Sequence, residues 1–439
     1  MTFLEFCRNK AYWAMDAAKG GKVRKALDLL EQIEGGKMSE AEVNNYQQSQ
    51  VRKLLEHTKN TVSYYSNITS TGLEDWPVVT KATIKNSQDK FFSSKYNRAE
   101  LIEMSTSGST GTPFRCYQNA DKKRHVNAEV LFYNGQIDYK IGRKIIYFRS
   151  IVGEVQKNAL QQFSQNICLL DCTDLSDEGI AKKLEIIRKQ SRHGGAMMMG
   201  YCSTLDAFRR YFQKYGTDKA KGCNIYGIVG GSEIFHDITR DVLEEAFHCK
   251  CVSRYSNEEN GFIGQDAEER NVFIPNRANY IVEILKLGSN EPVADGEVGR
   301  VVITDLYNYA MPMVRYDTGD VGAWKEVMHK GKMRKAIGSF SGRVVDMIFD
   351  CNGNQISPHS ITNLMWSYQG VQQYQFIQKG TTSYTMRINA GDFVLDENAI
   401  IKDLKRIVGD EATVIVEYTD EIPVLASGKR RYIKNEMNS

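Results

Sequence analysis

The sequence predicts an α/β protein. A large N-terminal domain of mixed α/β sheets with helices and a β-rich subdomain precedes a small mobile α+β C-terminal domain. Three observations carry this reading. Short apolar runs alternate with amphipathic helical patterns from about residue 144 to residue 255; the alternation gives way beyond residue 279 to strand-like runs; and the last hundred or so residues repeat a strand–helix–strand pattern of their own.

In chain order, Val23, Leu27, Leu30 and Ile33, then Val43, Tyr46 and Leu54, recur at spacings near one helical turn and predict packing helices in the first hundred residues. Residues 144–148 and 167–170 are apolar enough for buried strands. Helices follow with Ile180, Leu184 and Ile187 on one face, and with Leu205, Phe208 and Phe212 on another. Residues 226–231 form a strand ending in glycines; a helix with Ile238, Val242 and Ala246 and a strand over 251–255 come next. Strands alternating with helices predict a mostly parallel sheet, whose ligands gather at the carboxyl ends of the strands. There, Gly230–Glu233 and Tyr255–Glu259 make two polar loops on one rim. Residues 280–285 and 300–304 predict a second, antiparallel sheet. After Gly342 come strands over 343–349, 374–378, 384–389 and 414–416, with a helix marked by Ile400, Leu404 and Ile407.

Composition narrows the partners. With 439 residues, 41% of them hydrophobic, the chain can bury a large core; a net charge of +3 is too nearly balanced for a nucleic-acid or membrane-surface binder. The partner expected is a small molecule. Nine cysteines without regular spacing argue for thiols in a reducing cytoplasm rather than a disulfide framework. Cys168, Cys172, His248, Cys249 and Cys251 lack the paired spacing of a zinc site. The first residues carry charges where a secretory signal needs an apolar run, and no later stretch is long and apolar enough for membrane insertion, so a cytoplasmic protein, monomer or homodimer, is expected.

Two distant segments carry the chemistry. Residues 105–113, Ser-Thr-Ser-Gly-Ser-Thr-Gly-Thr-Pro, set hydroxyls and unhindered backbone N–H groups in one loop that can surround a polyphosphate. The loop lacks the lysine of a P-loop. Lys429, in the basic segment 425–432, is the candidate cation. An acidic residue must hold Mg²⁺ near the phosphates; Glu259 is favoured, with Glu258 as its competitor. In the turn 315–320, a carboxylate can accept hydrogen bonds from ribose hydroxyls. Residues 194–201, with three consecutive methionines, and Tyr147, Phe148 and Phe235 offer apolar walls for a substrate.

In this order the segments resemble the adenylate-forming superfamily of acyl-CoA synthetases, adenylation domains and luciferases, on its phenylacetate-CoA ligase and CapK-like branch. The resemblance spans nearly the whole chain, including Asp75-Trp-Pro-Val-Val-Thr-Lys81. It implies that Ser107, Gly108, Ser109, Thr110 and Gly111 form the phosphate loop and that Gly231, Ser232 and Glu233 lie along the adenine. Tyr255 would stack on adenine, with Ser256 beside it in the same motif and Glu259 at the magnesium. Asp320 would bind ribose, Gly342 and Arg343 open the hinge, and Lys429 act as the adenylation lysine. Domains of 1–341 and 348–439 with a hinge at 342–347 follow from it.

Ser256 and Glu258 depart from the family's glycine and threonine, Asp317 stands where arginine is common, and Val345 stands at the usual hinge aspartate, next to Asp346. The cysteine cluster of some phenylacetate-CoA ligases is missing after Glu259, which favours the CapK-like side. The function implied is ATP- and Mg-dependent adenylation of a carboxylic acid, then acyl transfer to a thiol, coenzyme A or a carrier, or to an amine or hydroxyl in capsular polysaccharide or secondary-metabolite biosynthesis. The alternatives are a nucleotidyl transferase that leaves AMP on a hydroxyl and a non-catalytic binding protein.

Overall fold

The computed structural model describes residues 1–106, 114–149, 157–172, 174–266, 268–343, 348–353, 355–356, 361, 364–365, 367–423 and 431–437. The chain opens with helices α1 (Phe3–Ala18), α2 (Lys22–Ile33) and α3 (Glu40–Thr61). Thr2 and Ser39 start α1 and α3 with reciprocal capping boxes to Glu5 and Glu42, satisfying N–H groups that the first helical turn leaves open. The expected stripe of Val23, Leu27, Leu30 and Ile33 is buried, with Val43 of α3 in the same cluster.

A short strand β1 (Val79–Thr80) leads into α4 (Lys81–Asn86), and the hairpin β2 (Ile102–Thr106) and β3 (Phe114–Gln118) into α5 (Ala120–Gly135). The α/β region follows as β4 (Lys144–Arg149), α6 (Ala159–Gln165), β5 (Ile167–Asp171), α7 (Asp177–Ser191), β6 (Ala196–Tyr201), α8 (Cys202–Tyr215), β7 (Ile225–Gly231), α9 (Asp237–Phe247) and β8 (Lys250–Asn257). Its strands lie side by side in the order β5-β4-β6-β7-β8, all parallel. Ile146, Phe148, Met198 and Ile228 pack one face against α7, α8 and α9; Ile145, Met197, Val229 and Val252 form the core of the other. Burial on both faces explains why these strands are continuous apolar runs.

The β-rich part comprises β9 (Gly261–Asp266), β10 (Phe273–Pro275), β11 (Tyr280–Leu285), β12 (Val298–Asp305), β13 (Tyr316–His329) and β14 (Lys332–Arg343). The sequence predicts a separate sheet here, and the structure corrects that. β9 pairs antiparallel with β8, β10 with β9, and the single pairing Phe273–Ile337 joins β10 to β14, so one 12-stranded sheet runs through both parts. Open strand edges invite further pairing, and the edge of β8 is closed by β9.

The remaining elements are β15 (Ile348–Phe349), β16 (Gln355–Ile356), β17 (Gln373–Gln378), β18 (Ser383–Asn389), α10 (Glu397–Val408), β19 (Thr413–Tyr418) and β20 (Ile433–Asn435). β15 and β16 pair with each other, and the other four strands form a sheet ordered β19-β18-β17-β20, on which Ile400, Leu404 and Val408 of α10 are buried. Where the described parts of this unit meet the large sheet region, Arg209 of α8 donates to the Gln372 carbonyl at 3.2 Å and the Tyr432 ring lies edge-on to His236, 5.1 Å between centroids. Among the described residues no helix is long and apolar enough to cross a membrane.

Candidate active site

The site begins with Arg315, whose backbone is left-handed (φ 48°). Its guanidinium pairs with Glu283 and donates to the carbonyls of Glu74 and Trp76, fixing the segment that leads into β1. β1 then runs parallel to β13, with Val79 opposite Tyr316 and Thr80 opposite Asp317. Thr80 caps α4, so Lys81 is the first residue of that helix and projects beside Tyr316.

There it meets Glu259. The Lys81 Nζ lies 3.1 Å from Glu259 Oε1, the same oxygen that accepts from the Tyr316 hydroxyl at 3.2 Å. Glu259 is 5% exposed, while 38% of the Lys81 side chain is open to solvent. Burial, and then the Glu259 charge, push the Tyr316 phenol up, so the phenol stays a donor. Glu258, the competitor for the metal role, is exposed to solvent.

The same corner holds both roots of the Ser/Thr/Gly loop. Phe114, which follows the loop, has its ring centroid 5.0 Å from Lys81 Nζ, and Gln118 at the end of β3 donates to the Glu259 carbonyl at 3.2 Å. Ser107, Gly108, Ser109, Thr110 and Gly111 lie outside the described residues, as do Val345, Asp346 and Lys429, and so does the Arg343 side chain. Arg343 is opposite Asp320 in the β13–β14 register.

Tyr255 and Asp320 also come together. The Tyr255 hydroxyl donates to Asp320 Oδ2 at 2.9 Å, and its ring packs against Phe273 in a buried cluster; burial and the Asp320 carboxylate push the phenol well up. Asp320 also donates its backbone N–H to Thr318 Oγ1 at 3.1 Å. Ser256 is half-buried opposite Phe262.

Gly231 ends β7 beside Tyr201 of β6 and Arg254 of β8. Ser232 takes a left-handed turn (φ 69°), and Glu233 folds back so that its Oε2 accepts the Ser203 N–H at 2.7 Å, at the N-terminus of α8. A carboxylate there satisfies an open helical N–H and complements the helix dipole. Of the apolar walls, Phe148, Phe235, Met197 and Met198 are fully buried core; Met199, Tyr147 and Tyr201 are half-buried.

A magnesium ion takes hard oxygen ligands and keeps several waters and phosphate oxygens, so one carboxylate is enough to hold it. Glu259 fits: it is a nearly buried carboxylate whose Oε1 is held in place by Lys81 and Tyr316. Lys81 is the residue whose part in the site the sequence reading missed. Its signal was the Trp-Pro-x-x-x-Lys stretch, and only the β1–β13 register brings it to Glu259, 178 positions downstream.

Known proteins resemble this chain in sequence and in fold. Residues 348–436 match the CapK C-terminal domain family. Over 394 residues the chain is 23% identical to Protein CapK of Staphylococcus aureus, covering 86% of this chain and 83% of that protein. It is 26% identical over 171 residues to phenylacetate-coenzyme A ligase of Thermus thermophilus, 38% of each chain. The crystal structure of 2-hydroxyisobutyryl-CoA ligase in the postadenylation state, in complex with R3-HIB-AMP, superposes with a TM-score of 0.69 at 13% identity, covering 91% of both chains. The chain shares the fold of this CoA ligase. In sequence it is similar to CapK over most of its length and to phenylacetate-CoA ligase over part of it.

Proposed function

We propose that this protein is an AMP-forming ligase that activates a carboxylic acid with ATP and passes the acyl group to a thiol, with coenzyme A the first acceptor to test. The observation that carries the reading is the corner where Glu259, Lys81, Tyr316 and the root of the Ser/Thr/Gly loop meet within hydrogen-bonding or ring-contact distance. The 2-hydroxyisobutyryl-CoA ligase structures, with bound acyl-AMP and in two cases coenzyme A, support the same chemistry for proteins of this fold.

In the first step a carboxylate oxygen attacks the α-phosphorus and the bond to pyrophosphate breaks. Two anions must be brought together, so positioning and positive charge do most of the work. Lys81 supplies a cation at the loop root, and Lys429 supplies a second from the C-terminal segment. The buried Glu259 carboxylate holds Mg²⁺, which when bound neutralises phosphate charge. Tyr316 and Lys81 keep that carboxylate oriented. Tyr255 and Asp320, tied hydroxyl to carboxylate, hold the nucleoside, and Gly231–Glu233 border the adenine. In the second step the thiol sulfur attacks the acyl carbon and AMP leaves.

The test is pyrophosphate release from Mg-ATP across aryl, fatty, hydroxy and dicarboxylic acids, with and without coenzyme A, with hydroxylamine present to trap acyl-adenylates. Acid-dependent release stimulated by coenzyme A is the expected result. A hydroxylamine-resistant AMP adduct on a hydroxyl compound would replace this reading with nucleotidyl transfer, and silence across the panel would refute catalysis of this type.

A further inference from the structure

Arg254, half-buried, differs from the buried arginines of this fold. Arg209, Arg240, Arg315 and Arg334 are each neutralised by a carboxylate, from Asp206, Asp266, Glu283 and Glu34. Arg254 has no carboxylate partner among the described residues. Its Nη2 donates to Asn134 Oδ1 at 2.7 Å, and its guanidinium carbon lies 3.7 Å from the Phe262 ring centroid. The enclosed Nε has no acceptor among the described residues. Burial works against the charge it carries. A half-buried cation without an anion is costly, and a cation–π contact with one neutral hydrogen bond recovers part of that cost.

The surroundings are those of a ligand pocket. Arg254 lies opposite Gly231 across parallel strands, so both face the same side of the sheet at its carboxyl rim. A Cβ added at Gly231 would meet only the Arg254 carbonyl oxygen, at 3.9 Å, which leaves room in front of the guanidinium's strand position. Tyr147, Met199 and Tyr201, on the same face of the neighbouring strands, are half-buried where the next layer down is closed core.

Position separates this group from the reacting end of the site. Gln118, just before α5, is bonded to the Glu259 carbonyl, whereas Asn134, in the last turn of α5, is bonded to Arg254. The 16-residue helix between them is about 24 Å long. The guanidinium is therefore anchored toward the opposite end of α5 from the Glu259 carbonyl, while the five residues of chain from Arg254 to Glu259 keep their Cα atoms within about 18 Å.

We propose that Arg254 receives a second carboxylate of the acid substrate, remote from the carboxylate that is adenylated, and that the substrate class is dicarboxylic. This rests on the adenylation reading of the site. One guanidinium matches one negative charge, and its planar donors suit a carboxylate.

The experiment compares three- to six-carbon α,ω-dicarboxylates with the monocarboxylate of the same length, in acid-dependent pyrophosphate release and in thermal-shift binding without ATP. Wild type, Arg254→Met and Arg254→Lys are measured. The wild type is expected to prefer one diacid by about 100-fold in kcat/KM, the scale for a charge-paired contact in a dry pocket. Arg254→Met should lose that preference while keeping monoacid turnover within about threefold, and the diacid should stabilise the wild type but not this variant. Arg254→Lys, which keeps the charge, should retain a weaker diacid preference and serves if the methionine variant does not fold. A wild type that prefers monoacids overturns the proposal, as does a folded Arg254→Met that loses both acids equally. Release with monoacids alone sinks the Arg254 assignment and spares the ligase reading. Saturable diacid binding that depends on Arg254, with no pyrophosphate from any acid, does the reverse.

Discussion

Removing Lys81 tests how the loop corner works. At 3.1 Å the Lys81–Glu259 pair has a gross Coulomb attraction of about 5 kcal/mol at an effective dielectric near 20. More than a third of the lysine side chain is exposed, so water and salt screen most of that, leaving about 1–2 kcal/mol of net coupling. The same ammonium, near the loop root, acts on incoming phosphate, where losing one such contact costs on the order of 10²-fold in rate. Lys81→Met is therefore expected to lower kcat/KM for adenylation about 10²-fold, and Glu259→Gln by a similar or larger factor. Because lysine and carboxylate share one contact, the double variant should fall short of the product of the two losses by about 5–30-fold, the rate equivalent of that coupling. The assay is the initial rate of acid-dependent pyrophosphate release at saturating Mg-ATP for all four proteins. Losses that multiply without coupling, or a Lys81→Met enzyme within threefold of wild type, would refute the reasoning.

Three further outcomes are expected. Lys429→Ala should abolish acid-dependent adenylation while leaving ATP binding by equilibrium titration largely intact; normal adenylation would remove the C-terminal segment from the first step. Tyr255→Phe deletes the donor to Asp320 and should raise the ATP KM severalfold with kcat little changed, whereas Asp320→Asn should raise it further, because the ribose acceptor itself changes. His125 is buried beneath Tyr307 and its Nδ1 donates a hydrogen bond to Asn279 Oδ1, and burial pushes it down to about 4. Its folded value lies below the ordinary value of about 6.5, so the unfolded chain takes up the proton first and stability falls as pH drops from about 6.5 towards 4. About 2 kcal/mol should be lost between pH 7.5 and 5, read as a lower urea midpoint, and His125→Gln should remove that part of the acid sensitivity.

The parallel half of the fold is legible because its strands are buried on both faces and so stand out as apolar runs between amphipathic helices. The continuity of the sheet is not legible, since it depends on which strand pairs with the edge of β8 and on one pairing between Phe273 and Ile337. The methionine run shows the same limit. Alternation along β6 sends Met198 to the α7–α9 core and Met197 and Met199 to the other face, and only depth along the strand separates closed Met197 from half-open Met199.

At the site, the sequence by itself determined the chemical vocabulary: a hydroxyl- and glycine-rich loop, a glutamate and a tyrosine after one strand, an aspartate in a turn and a lysine in a basic segment. These are local properties, fixed by residue type and spacing. Tertiary structure alone decided that Lys81 faces Glu259, that Tyr255 is tied to Asp320, and that half-buried Arg254 meets no carboxylate among the described residues. Each of those outcomes depends on the register of strands distant in sequence. Burial then sets how strongly the assembled charges interact, because it replaces water with a medium that screens them less.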